Sequence, residues 1–235
     1  MKKTVKRIIG ILIYILLIFF PLIFMAAFPP PVKREFLREL SVALGFTGLT
    51  MAGIQFLPTA RMKWFADIYD LDTMYTVHHR LSIIAVLLVF LHPLLLLINN
   101  PYTLHLLNPV TATWQARAGL AGLGGLILIG VSSVLRREIR LPYNTWHSLH
   151  LVLTLVIVVF GLIHIFMVNF HDSVPAMTVT WTLEIIIWVG AAAYMHIIKP
   201  LVIKRHPYKV DRIKQETPDV WSIYLKPDGH KGLPF

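Results

Sequence analysis

Six stretches of this chain stay apolar for about the length a helix needs to cross hydrocarbon. They fall at roughly 8–28, 41–57, 75–98, 118–135, 146–168 and 177–198. A bilayer core of ~30 Å takes about 20 helical residues, and backbone polar groups inside it must be satisfied within the helix. The expected fold is therefore an all-α membrane protein, a six-transmembrane-helix bundle. Charge agrees with this: 14% of the 235 residues are charged, against about a quarter in a soluble domain. The second run is the shortest and contains Gly45, Gly48 and Gly53. With Gly119, Gly122, Gly125 and Gly130 in the fourth, these are places where helices can approach closely or where a flat cofactor finds room.

Basic residues set the orientation. Lys2, Lys3, Lys6 and Arg7 precede the first run, and Arg61 and Lys63 lie between the second and third. Arg136, Arg137 and Arg140 lie between the fourth and fifth, and Lys199, Lys204 and Arg205 follow the sixth. With six spans all four groups fall on one side. The opposite side carries Lys33, Arg34 and Arg38, partly offset by Glu35 and Glu39, then Arg117 and Asp172. The positive-inside rule then makes this a multi-pass protein of the cell (inner) membrane with both termini cytoplasmic. The opening "MKKTVKR" and its apolar run imitate a secretory signal. The run exceeds the 7–15 residues of a usual signal core, and Met25 is a poor cleavage-site residue, so a retained first helix is expected. The formal charge of +10 flanks apolar spans, where it orients the chain and meets anionic headgroups; nucleic acid is not an expected partner.

There is no cysteine. This excludes disulfides, cysteine-ligated iron–sulfur clusters, a cysteine nucleophile and covalently attached c-type haem. Eleven histidines remain as soft-metal ligands, and four of them stand out. "HHRLSIIAVLLVFLH" (78–92) and "HSLHLVLTLVIVVFGLIH" (147–164) each begin and end with histidine around an apolar run. A helix turns ~100° and rises ~1.5 Å per residue, so fourteen residues return within ~40° of the starting face, ~21 Å further along. His78 to His92 and His150 to His164 are such pairs. His79 to His92 is ~140° off and His147 to His164 ~100° off, so one histidine of each doublet is selected. The third and fifth spans run in the same direction, which sets His78 level with His150 and His92 level with His164. Two rungs result, each with two imidazoles. A six-coordinate haem iron takes two axial ligands from facing helices, and two b-type haems stacked across the bilayer satisfy all four rings.

Other polar residues carry weaker signals. His79 is either a loop-facing neighbour or a contact to a propionate of the inner haem. Arg80, Arg136 and Arg137 are better propionate partners, since guanidinium pairs carboxylates bidentately, although the positive-inside signal explains them equally. Glu184, about two turns into the sixth span, is a candidate proton or cation contact. His105, His147, His171, His196, His206 and His230 read as interfacial.

At these histidines the chain resembles the ferric reductase-like transmembrane family, which includes the membrane domain of NADPH oxidases. The resemblance covers about residues 40–200 and rests on "HHRLS…LHP" and "WHSLHL…LIH". It implies that His78, His92, His150 and His164 ligate two haems, while such spacing also occurs in other dihaem cytochromes b. After Pro200 the composition turns polar and alternates, with Val220, Ser222 and Tyr224 against Trp221, Ile223 and Leu225, which reads as two short strands joined by a turn. That tail is similar to the opening strands of a ferredoxin-reductase-type FAD-binding barrel. The expected organisation is a dihaem membrane domain over 1–200 and an incomplete start of that barrel over 201–235. FAD and NAD(P)H are implied only for a complete chain or a partner flavoprotein, and this truncated chain is expected to be inactive with NAD(P)H alone.

The expected function is that of an oxidoreductase. Electrons from cytoplasmic reduced flavin pass through two haems to an outer acceptor, ferric chelate or oxygen. Two alternatives stand beside it: a quinol-linked dihaem cytochrome b subunit, and a haem-free channel or transporter whose histidines line a polar path.

Overall fold

The computed structural model describes residues 3–60 and 68–232. Lys2, Arg61 and Lys63, which enter the charge argument, lie outside the described residues, as do residues 233–235. Among the described residues six helices are long and apolar enough to cross a membrane: Thr4–Ala27, Phe36–Thr59, Leu71–Asn99, Trp114–Val134, Tyr143–Val168 and Pro175–Arg205. The chain is a multi-pass membrane protein with the expected six-helix architecture. In order, the helices are α1 (Lys3–Ala27), α2 (Phe36–Ile54), the single turn α3 (Phe56–Thr59), α4 (Leu71–Asn99), α5 (Trp114–Val134), α6 (Tyr143–Val168), α7 (Pro175–Ala193) and α8 (Lys199–Arg205). The tail forms the expected antiparallel hairpin, β1 (Tyr208–Thr217) and β2 (Val220–Pro227). Ion pairs Lys209–Asp228 at 2.7 Å and Lys226–Asp211 at 2.6 Å tie its strands together.

Local chemistry explains several boundaries. The Asp70 carboxylate accepts the Thr73 N–H at 2.7 Å and caps α4. α6 stops at Asn169, whose φ of 47° is the left-handed conformation that asparagine tolerates. The sixth span continues past Pro200 to Arg205. Proline has no N–H to bond the carbonyl four residues back, and a π-helical turn over Tyr194–Ile198 absorbs the fault, with the Lys199 N–H reaching the Tyr194 carbonyl.

The spans pack as two antiparallel pairs. α2 lies along α4, with Ser41 beside His92 at one end and Gln55 reaching the His78 carbonyl at the other. α5 lies along α6, with Gln115 beside His164 and Ser133 beside Trp146. α1 and α7 complete the bundle around α2, where Phe46, Leu49, Trp181 and Trp188 form the core with Leu22, Phe24 and Met25 of α1. The shortest run in the sequence is thus the most enclosed helix. Its apolar window is 61% buried, against 6% for α4, whose Ile83, Ile84, Leu87 and Phe90 are exposed toward what would be lipid.

Glycine makes this enclosure possible. A Cβ at Gly53 would lie 2.3–2.6 Å from the Trp188 indole, and one at Gly48 would lie 2.6 Å from Val89. Gly125 lies tightly against α6, with a Cβ there 3.2 Å from Ile157, and Gly122 would leave ordinary contact distances, whereas Gly124 and Gly130 have nothing within 4 Å among the described residues. Gly53→Ala is therefore expected to destabilise the protein by about 1–3 kcal/mol, the usual cost of overpacking, seen as a lower melting temperature in detergent. Gly124→Ala, the control, should melt as the wild type does.

Candidate functional site

Four histidines meet as two pairs. The His78 and His150 ring centres are 6.3 Å apart with ring planes at 57°, and those of His92 and His164 are 6.2 Å apart at 69°. The structure thus brings together the members that helix geometry selects from each doublet. His79 is exposed. His147 stacks on Tyr143 at 5.9 Å instead of joining a pair. Among the described residues no group of three histidines, cysteines or carboxylates gathers as a metal site, so the unit of this site is the two-ring rung.

The rungs are supported differently. At the second, His92 Nδ1 lies 2.8 Å from the Ser41 carbonyl and His164 Nδ1 lies 2.8 Å from the Gln115 carbonyl. A carbonyl can only accept, so both rings carry their proton on Nδ1 and keep the Nε2 lone pair. Ser41 adds a hydroxyl bond to the His92 carbonyl at 2.7 Å. Gly45 and Gly119 provide the seats: a Cβ there would lie 3.1 Å from His92 Cγ and 3.0 Å from His164 Nδ1. The parts correspond between helix pairs, with 41, 45 and 92 in one matched by 115, 119 and 164 in the other.

At the first rung the Nδ1 atoms of His78 and His150 are buried without a partner. Aromatic packing replaces the carbonyls there. Trp146 lies 5.1 Å from His150, and its indole N–H donates to Ser133 Oγ at 3.4 Å. The Arg136 guanidinium lies over the rings of both Tyr143 and Trp146, at 5.2 and 5.3 Å. Arg80 and Arg137 are exposed on the same end of the bundle. An open cavity reaches this rung, lined by His78, His150, Tyr75, Tyr143, Trp146, His147 and His196 among others. Sequence reading takes His147 and His196 as interfacial; their place beside the rung is legible for His147 only as the residue one turn before His150.

The far end, beyond the second rung, holds a polar cluster. His171, taken from sequence as interfacial, is buried, with Nε2 2.9 Å from Glu39 Oε2. Burial pushes its pKa down, and Arg34 adds to this, while Glu39 opposes it. Arg34 itself covers the Phe170 ring. Its neighbour Asp172 is buried with Oδ1 unpartnered, and that burial pushes its carboxyl up to about 6. A cleft beside the cluster is lined by Lys33, Arg34, Glu35, Arg38, Asn99 and Asn100.

Comparison with known proteins gives one family. The model described as ferric reductase like transmembrane component matches residues 44–161, half of the chain. The match takes in His78, His92 and His150, and ends three residues short of His164. No curated protein matches the chain.

Asp172 supplies a test of the far-end electrostatics. Its folded pKa lies above the ordinary carboxyl value, so its contribution destabilises the fold progressively as pH rises from about 4 to about 6 and is constant above that. Asp172→Asn should raise stability at pH 7.5 by on the order of 2 kcal/mol. Thermal melts across pH should show that gain shrinking below 6 and gone near 4.

Proposed function

The chain belongs to the ferric reductase-like transmembrane family, and from that premise we propose that it carries electrons across a lipid bilayer through two b-type haems, one at each histidine rung. The family itself implies an oxidoreductase with a redox partner. The observation that carries the finer reading is the spacing of the rungs. A metal clasped between two imidazole nitrogens at roughly 2 Å each puts the ring centres about 6 Å apart, and the two rungs stand at 6.3 and 6.2 Å. The donor set fits as well, since His92 and His164 are held in the tautomer that leaves Nε2 free, by the kind of outer bond that orients metal-ligating histidines.

Haem bound at these positions supplies one-electron chemistry that no side chain of this protein offers. The residues do the rest. His78 and His150 would hold the first group, with Trp146 packed against the His150 ring; Arg136, over Trp146, with Arg80 and Arg137, would offer guanidinium groups to its propionates. His92 and His164 hold the second, with the Ser41 and Gln115 carbonyls keeping both rings from rotating.

With both termini cytoplasmic, the donor is a reduced flavin on a soluble domain or partner at the first rung. The acceptor, a ferric chelate or oxygen, meets the second. The cleft of Lys33, Arg34 and Arg38 favours an anionic chelate. A bilayer and a flavoprotein are thus the expected partners.

Absorption spectra before and after dithionite, with a pyridine haemochrome assay, should give two haems per chain. A colourless protein would refute this reading in favour of a channel or transporter. His92→Ala or His164→Ala should empty the second site and leave one haem, and His79→Ala should keep both. Gly119→Val, which drives a side chain into the His164 ring, should lose the second haem while every histidine remains. Retention of both haems in that variant would show that the seat does not support the ligand.

A further inference from the structure

Five buried polar atoms lack a hydrogen-bond partner where α2 faces α7: Thr50 Oγ1, Trp181 Nε1, Trp188 Nε1 and both oxygens of Glu184. Phe46 of α2 meets Trp181 edge-on at 5.1 Å, and Gly53 lies against Trp188. Stepping from 46 to 53 along α2 thus keeps pace with stepping from 181 to 188 along α7. Thr50 and Glu184 fall at one level between the two indoles, and both have no solvent exposure (0%). Glu184 lies nine residues into α7, ~14 Å from its start, which is near the middle of a ~30 Å hydrocarbon core.

A bare carboxylate is costly at that depth. Among the described residues no cation pairs with Glu184. The Trp188 indole N–H, one turn on, is the donor beside it, and the Trp181 indole and Thr50 hydroxyl are the other unpartnered polar groups of this interface. Indole can only donate, so the arrangement does not suit a metal cation. It suits a carboxyl that gains and loses a proton, with internal water bridging to the donors.

We propose that Glu184 is a redox-linked proton site, resting on the electron-transfer reading above. One proton from the aqueous phase binds the Glu184 carboxylate when one electron from the donor enters the bundle, and it leaves when that electron passes to the acceptor. A single O–H bond forms and breaks. The coupling is electrostatic, because added negative charge in a medium of low dielectric raises the proton affinity of a nearby carboxylate. Few other ionisable groups face this region. Tyr14 of α1 has its hydroxyl 3.5 Å from Gln55. His164 of α6 is committed to the Gln115 carbonyl, Glu39 of α2 to His171, and α3 has none.

Redox-difference infrared spectroscopy on the haem-loaded chain tests this. Reduction should bring up a carboxylic-acid C=O band that shifts in D₂O, is lost in Glu184→Gln and moves in Glu184→Asp, should the glutamine variant not fold. A pH-indicator dye should register proton uptake on reduction that the variant lacks. A coloured wild type without the band, or a band unchanged in both variants, overturns the proposal alone. A colourless protein overturns the electron-transfer reading and the proposal with it.

Discussion

The bond from a histidine Nδ1–H to a helix carbonyl, His92 to Ser41 and His164 to Gln115, governs more of this bundle than any other contact. A carbonyl inside a helix already accepts the N–H four residues on, but its second lone pair is open. A ring from a neighbouring helix reaches it only if the residue over which it must lie has no side chain. That residue is four positions on, and it is Gly45 in one helix and Gly119 in the other. Once the ring is seated, the two helix axes must run close, and as consecutive spans they run antiparallel. The pairing of α2 with α4 and of α5 with α6 follows from seating two imidazoles in hydrocarbon.

The two helix pairs repeat each other, and the repeat explains why α4 and α6 run parallel. Each pair presents a histidine at the same two heights, so placing the pairs side by side gives level rungs. The correspondence fails at the first rung, where neither Nδ1 meets a carbonyl. There the supports come from one side only, with Trp146 and Arg136 belonging to the α5–α6 half. Rings held by backbone cannot rotate without unseating a helix, whereas rings held by side-chain packing can adjust. The second rung is the rigid one, and the first lies beside an open cavity.

Much of this was legible in the sequence, for a physical reason. Crossing hydrocarbon fixes helix length, and helix periodicity fixes which histidine of a doublet shares a face with its partner fourteen residues on. The six spans, the two-strand tail and the choice of His78 and His150 over His79 and His147 as the facing pair all follow from those periods. The carbonyl partners were not legible, because a backbone atom leaves no mark on residue identity, although the glycine four residues later does. His171 lies past the end of α6, where an interfacial residue belongs, but its burial was not legible, since nothing local to "NFHDS" signals the Glu39 carboxylate on another helix. Glu184 was visible as an anomaly, while its indole and hydroxyl neighbours arise from the pairing of α2 with α7, which has no local signal.

α2 shows why the shortest apolar run can be the most enclosed helix. A helix facing lipid must be apolar on its outside, so α1, α4 and α6 read as the strongest membrane helices. A helix facing protein on every side is free of that demand and is shaped by its neighbours. Ser41, Thr47 and Thr50 are buried on α2 and Gln55 at its C-terminal cap, and each polar group lowers the hydropathy of the span. Its glycines do the same: Gly45 yields to His92, Gly48 to Val89 and Gly53 to Trp188, while Leu49 fills the space over Gly161 of α6. α2 thus touches both rung-bearing helices and α7. The features that weaken it as a membrane span are the ones that let the rest of the bundle close around it.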